Sequence, residues 1–309
     1  MEIHKYKARH KTIWDNFVRK SANGVFLHER DFMEYHSDRF EDHSLMFYKD
    51  DKLIACLPAH VYKANFSSHY GLTYAGFIIG AVLEYPQEIF NQLVEYCKKN
   101  KFQTIDIKLP PKFYDPNFEN TLSHLERLNF QIIDHSTDLF VDLNKKWKPS
   151  SKKTAGYRNG KFALHKLVAS RDFASFWENI LIPQLRSRHQ TDPVHTSHEI
   201  ELLNGRYPEQ IQHYDVVADV GNVAGMTVFN YGTIWKVQYA FGTDEGFTLK
   251  AMDFLYLEII QLARDQSVSI IDLGTVNNSD ETINEGLQRF KVELGALKTP
   301  VYTMRLNLQ

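Results

Sequence analysis

The sequence predicts an α/β (α+β) protein built from two tandem copies of one unit, each a mixed, mostly antiparallel sheet flanked by helices. First, one order of elements, an antiparallel meander followed by helix, strand, helix and strand, can be read twice along the 309 residues. Second, short segments match between the halves: 104–107 (TIDI) is similar to 269–272 (SIID), and 125–130 (LERLNF) to 287–290 (LQRF). Such repetition indicates a duplicated unit rather than one doubly wound sheet.

The first half supplies one copy of this order. Runs rich in β-branched and aromatic residues predict strands at 43–48, 52–62, 72–79, 104–109, 131–133 and 139–143. Apolar residues at helical spacing predict a helix over 86–99, opened by Pro86, and a second helix over about 117–128.

The second half supplies the other copy. Strands are predicted at 216–220, 223–229, 234–241, 269–273 and 301–306. Helices are predicted over about 173–189 with a break at Pro183, over 248–264 and over 281–294. Side chains of the strand predicted at 234–241 alternate between two faces. One face is expected to carry Trp235, Val237, Tyr239 and Phe241, and the other Lys236, Gln238 and Ala240.

The boundary between the copies is predicted in a basic segment. We expect an N-terminal domain over 1–145, a linker over 146–162 and a C-terminal domain over 163–309. The linker region combines Pro, Ser and Gly with many cations, which is typical of a solvated, flexible connection, although it could also bind phosphates. The segment 79–86 offers no phosphate cradle in the first copy, so a site for a phosphate-bearing ligand is expected in the C-terminal domain.

Composition excludes several classes of protein. With 43% hydrophobic and 24% charged residues and a net charge of −2, the chain can bury a core and has no strong field toward DNA or an anionic membrane. The N-terminus lacks the apolar core of a signal peptide, no apolar stretch reaches the length of a membrane span, and two cysteines without metal or disulfide spacing fit a reducing compartment. We therefore expect a cytoplasmic protein. Without GxSxG, Walker or Rossmann motifs, hydrolase, NTPase and dehydrogenase activities have no support.

Several short motifs, in order along residues 43–305, resemble one family. They are 68–76 (SHYGLTYAG), 193–199 (PVHTSHE), 238–239 (QY), 272–274 (DLG), 284–287 (NEGL), Lys291 and 295–296 (GA). This set is similar to that of a bacterial tandem-GNAT family related to the Fem (FemAB-like) aminoacyl transferases. The resemblance implies two GNAT-like domains and acyl transfer to an amine, often on a precursor of a cell-envelope or surface polymer.

The resemblance leaves the donor open. Ordinary GNAT enzymes use acyl-CoA, whereas the Fem relatives use aminoacyl-tRNA. The chain shows no long heptad-patterned arm of the kind that many Fem proteins insert, which favours acyl-CoA. We expect an N-acyltransferase that acts on a small, nucleotide- or lipid-linked amine. The alternatives are a tRNA-dependent transferase and a catalytically inactive binding module; the sequence does not predict the oligomeric state.

Three residues are the candidate catalytic groups. His195 follows Pro193 and Val194 in an extended loop, where it could act as a base or bind the acceptor; a structural histidine is the alternative. Tyr239 could protonate the leaving thiolate, as tyrosines do in many GNATs, or belong to the core. Asp272 ends a buried-looking strand before Gly274, a common place for a substrate contact or base, although it could simply form a turn.

A further set of residues is expected to bind the substrate: Tyr74, Glu199, Gln238, Asn284 and Lys291. Glu199 also completes a capping box with Thr196, which is the stronger interpretation of that residue. Asn284 and Lys291 are seven residues apart on one helix and so share a face. Lys291 could bind a carboxylate or phosphate, or be a solvated surface lysine.

The donor phosphates are expected at the loop 242–250, through Gly242, Gly246, Thr248 and Lys250. Backbone N–H groups at a helix start favour anions. The loop lacks the glycine-rich signature of CoA binders, and Asp244 and Glu245 would repel a pyrophosphate, so a plain loop with helix-capping acids is the alternative. No spacing among His189, His195 and His198 matches a zinc motif, and no metal is expected.

Overall fold

The computed structural model describes residues 1–80, 86–278 and 280–308. Its strands are β1 (Glu2–Lys5), β2 (Glu41–Asp42), β3 (Leu45–Lys49), β4 (Lys52–Leu57), β5 (Ala59–Tyr62), β6 (Asn65–Ser68), β7 (Ile78–Ile79), β8 (Thr104–Lys108), β9 (Gln131–Asp142), β10 (Lys166–Ser170), β11 (Ile211–Ala218), β12 (Gly221–Asn230), β13 (Ile234–Gly242), β14 (Ile270–Thr275) and β15 (Leu297–Asn307). Its α-helices are α1 (Lys11–Lys20), α2 (Arg30–Met33), α3 (Pro86–Lys99), α4 (Phe118–Arg127), α5 (Ala155–Arg158), α6 (Phe173–Phe176), α7 (Ile182–His189), α8 (Ser197–Arg206), α9 (Asp244–Thr248), α10 (Ala251–Asp265) and α11 (Glu285–Glu293).

The predicted α/β class and the mixed sheets are confirmed, but several predicted elements are wrong in detail. The strands predicted at 131–133 and 139–143 form the single strand β9, and Pro183 lies in the first turn of α7 rather than at a break. The strand over 52–62 is split at Pro58, which has no N–H for a ladder. Of the strand over 72–79 only Ile78–Ile79 forms, because Leu72 closes a turn onto His69. The helix over 248–264 is two helices, separated at Lys250, whose φ of 62° lies in the left-handed region.

The chain divides into two compact units. Unit 1 comprises 1–136 and 299–309, and unit 2 comprises 137–298. In unit 1, β1, β3, β4 and β7 form one antiparallel sheet. A second set of strands follows the order β2, β5, β6, β8 and β15, with only β6 and β8 parallel. Side chains from strands and helices meet in its core, including Phe47, Phe90, Ile107 and Leu125.

Unit 2 repeats this arrangement. Strands β10 to β13 form an antiparallel meander, β14 pairs parallel with β13, and residues 138–142 of β9 pair antiparallel with β14. Helix α10 buries its apolar side in a core with Met226, Trp235, Leu255 and Ile271. Each unit thus ends in a parallel pair followed by an antiparallel strand, as the predicted duplication requires.

The strands that complete the two sheets differ from the predicted order. Each half was expected to end in its own terminal strand. Instead, residues 303–307 of β15 pair with β8 in unit 1, and β9 supplies the corresponding strand of unit 2. A strand pattern in a sequence predicts the strand but carries no information on its partner. The predicted domain boundary therefore places 299–309 in the second domain, whereas these residues belong to unit 1.

The basic segment 146–162 packs on unit 2 rather than forming a flexible connection. The indole Nε1 of Trp147 donates to the carbonyl of Leu294 at 2.8 Å. Lys153 is 5% exposed, and its ammonium bonds Asp253 at 2.6 Å and lies 3.6 Å from Glu293. Two acids of unit 2 therefore fix a lysine that the sequence pattern suggested was solvated. The described part of the chain contains no helix that is both long and apolar enough to cross a bilayer.

Candidate functional site

The strands β13 and β14 separate in the middle of unit 2. They pair only from Ile234 to Lys236 against Ile270 to Asp272. Beyond this point, among the described residues, the remainder of β13 pairs with β12 alone. The ladder between β12 and β13 is also irregular, since Thr227 faces Tyr239 and Val228 faces Val237, which leaves Gln238 as the extra residue of a β-bulge.

The bulge reverses the alternation predicted for β13. Trp235 and Val237 face the core with α10, as expected. One extra residue then turns Tyr239 to the opposite face, where its ring packs edge-on against Trp177 at 5.0 Å between centroids. The prediction that Tyr239 shares a face with Trp235 and Val237 is therefore wrong.

His195 and Tyr239 lie in direct contact. The Nδ1 atom of His195 is 2.6 Å from the Tyr239 hydroxyl, and the backbone N–H of His195 donates to the same oxygen at 3.2 Å. His195 is 4% exposed, and its carbonyl accepts a hydrogen bond from the indole of Trp177 at 2.8 Å. Backbone and side-chain contacts thus hold the imidazole against the phenol.

The phenol of Tyr239 remains protonated at neutral pH. Burial raises the pKa of Tyr239 to about 12, and the charge of Glu199 adds to this rise. Hydrogen bonds from the His195 backbone and the Gln238 side chain oppose the rise. The tautomer of His195 decides whether Nδ1 is the donor or the acceptor of the 2.6 Å contact. With the ring proton on Nδ1, His195 donates to the phenol oxygen, and the phenol proton is left for another acceptor. The Gln238 Oε1 atom is buried and accepts no hydrogen bond among the described residues.

The other predicted group beside this pair is Glu199. The capping box at the start of α8 is confirmed: the Glu199 carboxylate accepts from the backbone N–H of Thr196 at 2.8 Å, and the Thr196 hydroxyl accepts from that of Glu199 at 3.2 Å. The same cap fixes the chain immediately after His195. A contact of Glu199 with substrate stays a prediction.

Sequence reasoning missed a polar row beside Tyr239. Thr227, which faces Tyr239 across the ladder, has its hydroxyl 2.9 Å from Nδ1 of His213. The other ring nitrogen of His213 lies 3.2 Å from the Asp215 carboxylate. All three side chains of this row are buried. The spacing of His213 and Asp215 on alternate positions of a strand was the available signal.

Asp272 and Lys291 belong to a second, buried cluster, which we call the charged quartet: Asp138, Lys236, Asp272 and Lys291. Asp272 is 0% exposed; its Oδ2 accepts from Lys236 at 2.8 Å and its Oδ1 from the backbone N–H of Gly274 at 2.7 Å. Lys291 donates to the carbonyls of Gly274 and Thr275 at 2.9 and 3.0 Å. The alternative of a solvated surface lysine is therefore wrong for Lys291.

Burial and mutual charge shift the titration of the quartet. Burial, together with repulsion from Asp272, raises the pKa of Asp138 to about 7, against the opposing influence of the two lysines. Burial lowers the pKa of Lys291 to about 8, although Asp138 and Asp272 oppose the change. Burial also disfavours the charge of Lys236, but the two carboxylates outweigh it and its pKa is raised. Sequence reasoning missed Asp138 and Lys236.

The predicted phosphate loop is partly used for structure. The Gly246 N–H donates to the Thr243 hydroxyl at 2.9 Å, and a Cβ on Gly246 would lie 2.1 Å from the carbonyl of Val223. Gly242 is a buried residue of β13, and the Thr248 hydroxyl donates to the Asp244 carbonyl at 3.1 Å. These atoms hold α9 against β12.

Lys250 has a different position. It is the exposed residue that precedes α10, and its side chain does not cap the helix. The first turn of α10 therefore starts next to an exposed ammonium group, an arrangement that suits an anion.

The remaining predicted residues lie elsewhere. Asn284 caps α11, its Oδ1 accepting from the Leu287 N–H at 3.0 Å. Tyr74 lies in unit 1, where it is 2% exposed and packs against Tyr114 at 4.4 Å between ring centroids. The segment 79–86, for which no phosphate cradle was expected, falls largely outside the described residues. Across the described ranges, no group of three or more His, Cys, Asp or Glu is placed to hold a metal ion.

Comparison with solved structures identifies the fold. FemX matches with a TM-score of 0.69 and 13% identity over 100% of this chain and 98% of FemX. L-PGS from Bacillus licheniformis matches with a TM-score of 0.63 and 12% identity over 97% and 92% of the two chains. A tandem GNAT protein from the clavulanic acid biosynthesis pathway matches with a TM-score of 0.50 and 12% identity over 99% and 98%. The chain has the tandem GNAT fold.

At these identities the similarity establishes the fold alone. The resemblance to tandem-GNAT and Fem-like proteins predicted from short motifs is thereby confirmed in three dimensions. No protein-family model matches the chain, and no curated protein sequence does.

Proposed function

We propose that the protein is an N-acyltransferase, which moves an acyl group from an activated donor to an amine with His195 and Tyr239 as its catalytic residues. The observation that carries the proposal is the 2.6 Å contact between Nδ1 of His195 and the Tyr239 hydroxyl at the bulge where β13 leaves β14. Acyl transfer to amines is the activity implied by the resemblance to tandem-GNAT proteins.

In the proposed reaction, the acceptor amine attacks the acyl carbon and the bond from that carbon to the leaving sulfur or oxygen breaks. One proton passes from the amine to the leaving group. Tyr239 supplies it, because its phenol is protonated at neutral pH. The amine proton restores the phenol through the His195 imidazole, which takes it up at Nε2 and releases its Nδ1 proton to the phenolate oxygen. The His195 backbone N–H and the Gln238 side chain stabilise that oxygen during the transfer.

The orphaned oxygen of Gln238 has a role in this proposal. It is a buried acceptor at the bulge without a donor among the described residues. A buried acceptor without a donor is costly, so a substrate N–H that bonds it gains affinity. We assign this N–H to the acceptor amine.

Acyl-CoA is the donor that we propose first. Its phosphates would sit at the start of α10, next to Lys250, rather than on the predicted glycines. The reason is that the Gly246 N–H is already bonded to Thr243, while the Lys250 side chain is exposed and uncapped. The acceptor in this proposal is a small amine on a nucleotide- or lipid-linked precursor of a cell-envelope polymer.

An aminoacyl-tRNA is the second candidate donor, favoured by the exposed cations of unit 2. These cations are Lys145, Lys146, Lys148, Lys152, Arg158 and Lys161. Together they offer several phosphate contacts on one sequence segment. The occupied N–H of Gly246 also weakens the resemblance to a CoA cradle.

Thermal unfolding with candidate donors tests the proposal. Acetyl-CoA, longer acyl-CoAs, CoA, and free and charged tRNA are titrated against wild type, Lys250→Glu and a control, Lys101→Glu, which alters an exposed lysine of unit 1. A ligand at a hundred times its dissociation constant adds about 2.7 kcal/mol of stability. The expected result is a saturable shift with one donor class, weakened by Lys250→Glu alone. A flat response to every donor would favour an inactive binding module.

A further inference from the structure

Gly274 leaves room for a Cβ atom beside two buried ammonium groups. A Cβ atom built on this residue would have only two heavy atoms within 4 Å among the described residues, apart from its chain neighbours. They are Nζ of Lys291 at 3.8 Å and Nζ of Lys236 at 4.0 Å. The φ of Gly274, 81°, lies in the left-handed region and aims this open face at the lysines.

The backbone around Gly274 is shaped by a second irregularity. In the ladder between β14 and β9, Asp272 faces Phe140 and Thr275 faces Asp138, so that β14 carries one extra residue. This bulge directs the Gly274 and Thr275 carbonyls to Lys291 and the Gly274 N–H to Asp272. The position of Lys291 over Gly274 is therefore set by the bulge between β14 and β9 and by helix α11.

The charges of the quartet leave room for an anion. Both oxygens of Asp272 are occupied by Lys236 and the Gly274 N–H. Asp138 is 3% exposed and interacts electrostatically with Asp272 on β14, Lys236 on β13 and Lys291 on α11. When Asp138 is protonated, the quartet carries two positive charges and one negative charge. A single bound anion would then restore neutrality in a buried place, where an uncompensated charge is costly.

We propose that the space over Gly274, between Lys236 and Lys291, binds one anionic oxygen of a substrate. A carboxylate on the acyl group or on the acceptor supplies such an oxygen, and a phosphate presents the same chemistry. That the molecule with this anionic oxygen is a substrate rests on the proposed function. The existence of the anion site does not depend on that function. Binding is coupled to protonation of Asp138, because the anion replaces its negative charge.

Acetate and inorganic phosphate are the probes that test this site. The unfolding midpoint is measured at pH 6 and pH 8 at constant ionic strength, each variant against its own anion-free value. A saturable shift of the unfolding midpoint is expected with at least one probe. A shift with acetate alone would identify a carboxylate site, and a shift with phosphate alone would identify a phosphate site. Acetate is ionised at both pH values, whereas the pKa of Asp138 is raised to about 7 and that of Lys291 is lowered to about 8. The half-saturating concentration of acetate should therefore be lower at pH 6 than at pH 8 by about tenfold or more.

Two variants and a control make the test specific. Lys291→Met should abolish the shift, whereas Lys101→Met, at an exposed lysine, should leave it unchanged. Asp138→Asn, which is neutral at every pH, should bind acetate with a smaller pH dependence than wild type and more tightly than wild type at pH 8. The dependence that remains comes from Lys291, whose pKa is lowered to about 8. A purely structural role for Asp138 would not give this gain.

The proposal is overturned if neither probe shifts wild type at either pH, or if Lys291→Met responds like wild type. An unchanged pH dependence in Asp138→Asn would also contradict it. Donor consumption is measured separately. Anion binding without donor turnover would refute the proposed acyltransferase activity but support the anion site. Turnover without anion binding would support the activity and refute the anion site.

Discussion

The Tyr239 hydroxyl and the His195 imidazole hold each other in one orientation. The oxygen accepts from the His195 backbone N–H at 3.2 Å, and the ring nitrogen is 2.6 Å away. Trp177 packs against the phenol ring and bonds the His195 carbonyl, so one side chain supports both partners. This pre-organisation is what a proton donor at the leaving group needs.

Removal of the hydroxyl alone tests the role of Tyr239. Tyr239→Phe keeps the ring that contacts Trp177 but lacks the proton, so the turnover rate should fall by about 10²-fold or more while donor affinity is retained. The measurement is a steady-state rate with donor binding determined in parallel. Tyr214→Phe removes another hydroxyl of unit 2, bonded to Gln212 at 2.8 Å, and should keep the wild-type rate.

A second prediction concerns stability and Asp138. Its pKa is raised to about 7 in the folded protein, so the folded state binds the proton more tightly than the unfolded chain. This contribution to stability is present below the ordinary aspartate pKa of about 4 and is lost as the pH rises to about 7. Wild type should thus lose stability between pH 4 and 7, and Asp138→Asn should lose less. Urea unfolding at pH 5 and pH 8 measures both; equal losses in the two proteins would contradict the assignment.

At the scale of elements, two β-bulges shape the centre of unit 2. The bulge at Gln238 turns Tyr239 toward His195, and the bulge near Gly274 places the quartet. Both lie just beyond Lys236 and Asp272, where the pairing of β13 with β14 ends. One extra residue in each strand therefore determines which side chains can meet.

Helix α9 depends on a close approach to β12. A Cβ on Gly246 would collide with the Val223 carbonyl at 2.1 Å. Gly246→Ala should lower the free energy of unfolding by about 1–3 kcal/mol, as overpacking does. Gly205→Ala, in α8 with no heavy atom within 4 Å of the new Cβ, should instead raise it by about 0.5–1 kcal/mol. Chemical denaturation of both variants checks the contrast, and a neutral Gly246→Ala would refute it.

The segment that precedes β10 should behave as part of unit 2. Lys153→Ala removes a buried ammonium group and its 2.6 Å hydrogen bond to Asp253, and should cost about 1.5–3 kcal/mol, the range of a hydrogen bond to a charged group. Lys152→Ala removes an exposed pair with Glu293 and should cost about 0–1 kcal/mol. Denaturant unfolding of the two neighbours compares them directly. Equal small effects would show that the segment is a loose linker.

The sequence was more informative about the residues than about their geometry. His195, Gln238 and Tyr239 came from short motifs, and the structure brings them together at one bulge. The bulge itself left no sequence signal, so the face of Tyr239 was predicted wrongly. Asp138 and Lys236 were missed because a charged residue in an alternating strand normally faces water, and their burial depends on which strand pairs with β14.

On the scale of the whole molecule, the duplication is the strongest sequence signal and is confirmed. Each unit has an antiparallel set of strands, one parallel pair and a final antiparallel strand. The order of elements predicted this architecture, since local patterns determine each element. The partner of each final strand, β9 or β15, depends on long-range pairing, which a repeat pattern does not encode.

Donor consumption by wild type and Tyr239→Phe tests the central claim most directly. Acyl-CoA cleavage is followed by the release of free thiol, and aminoacyl-tRNA cleavage by loss of the ester, each with and without amine acceptors. We predict that wild type consumes one donor class faster when an amine is present. Tyr239→Phe should bind that donor equally well and consume it about 10²-fold more slowly. Consumption of neither donor class by wild type, or equal rates in the two proteins, would contradict acyl transfer at the His195–Tyr239 pair.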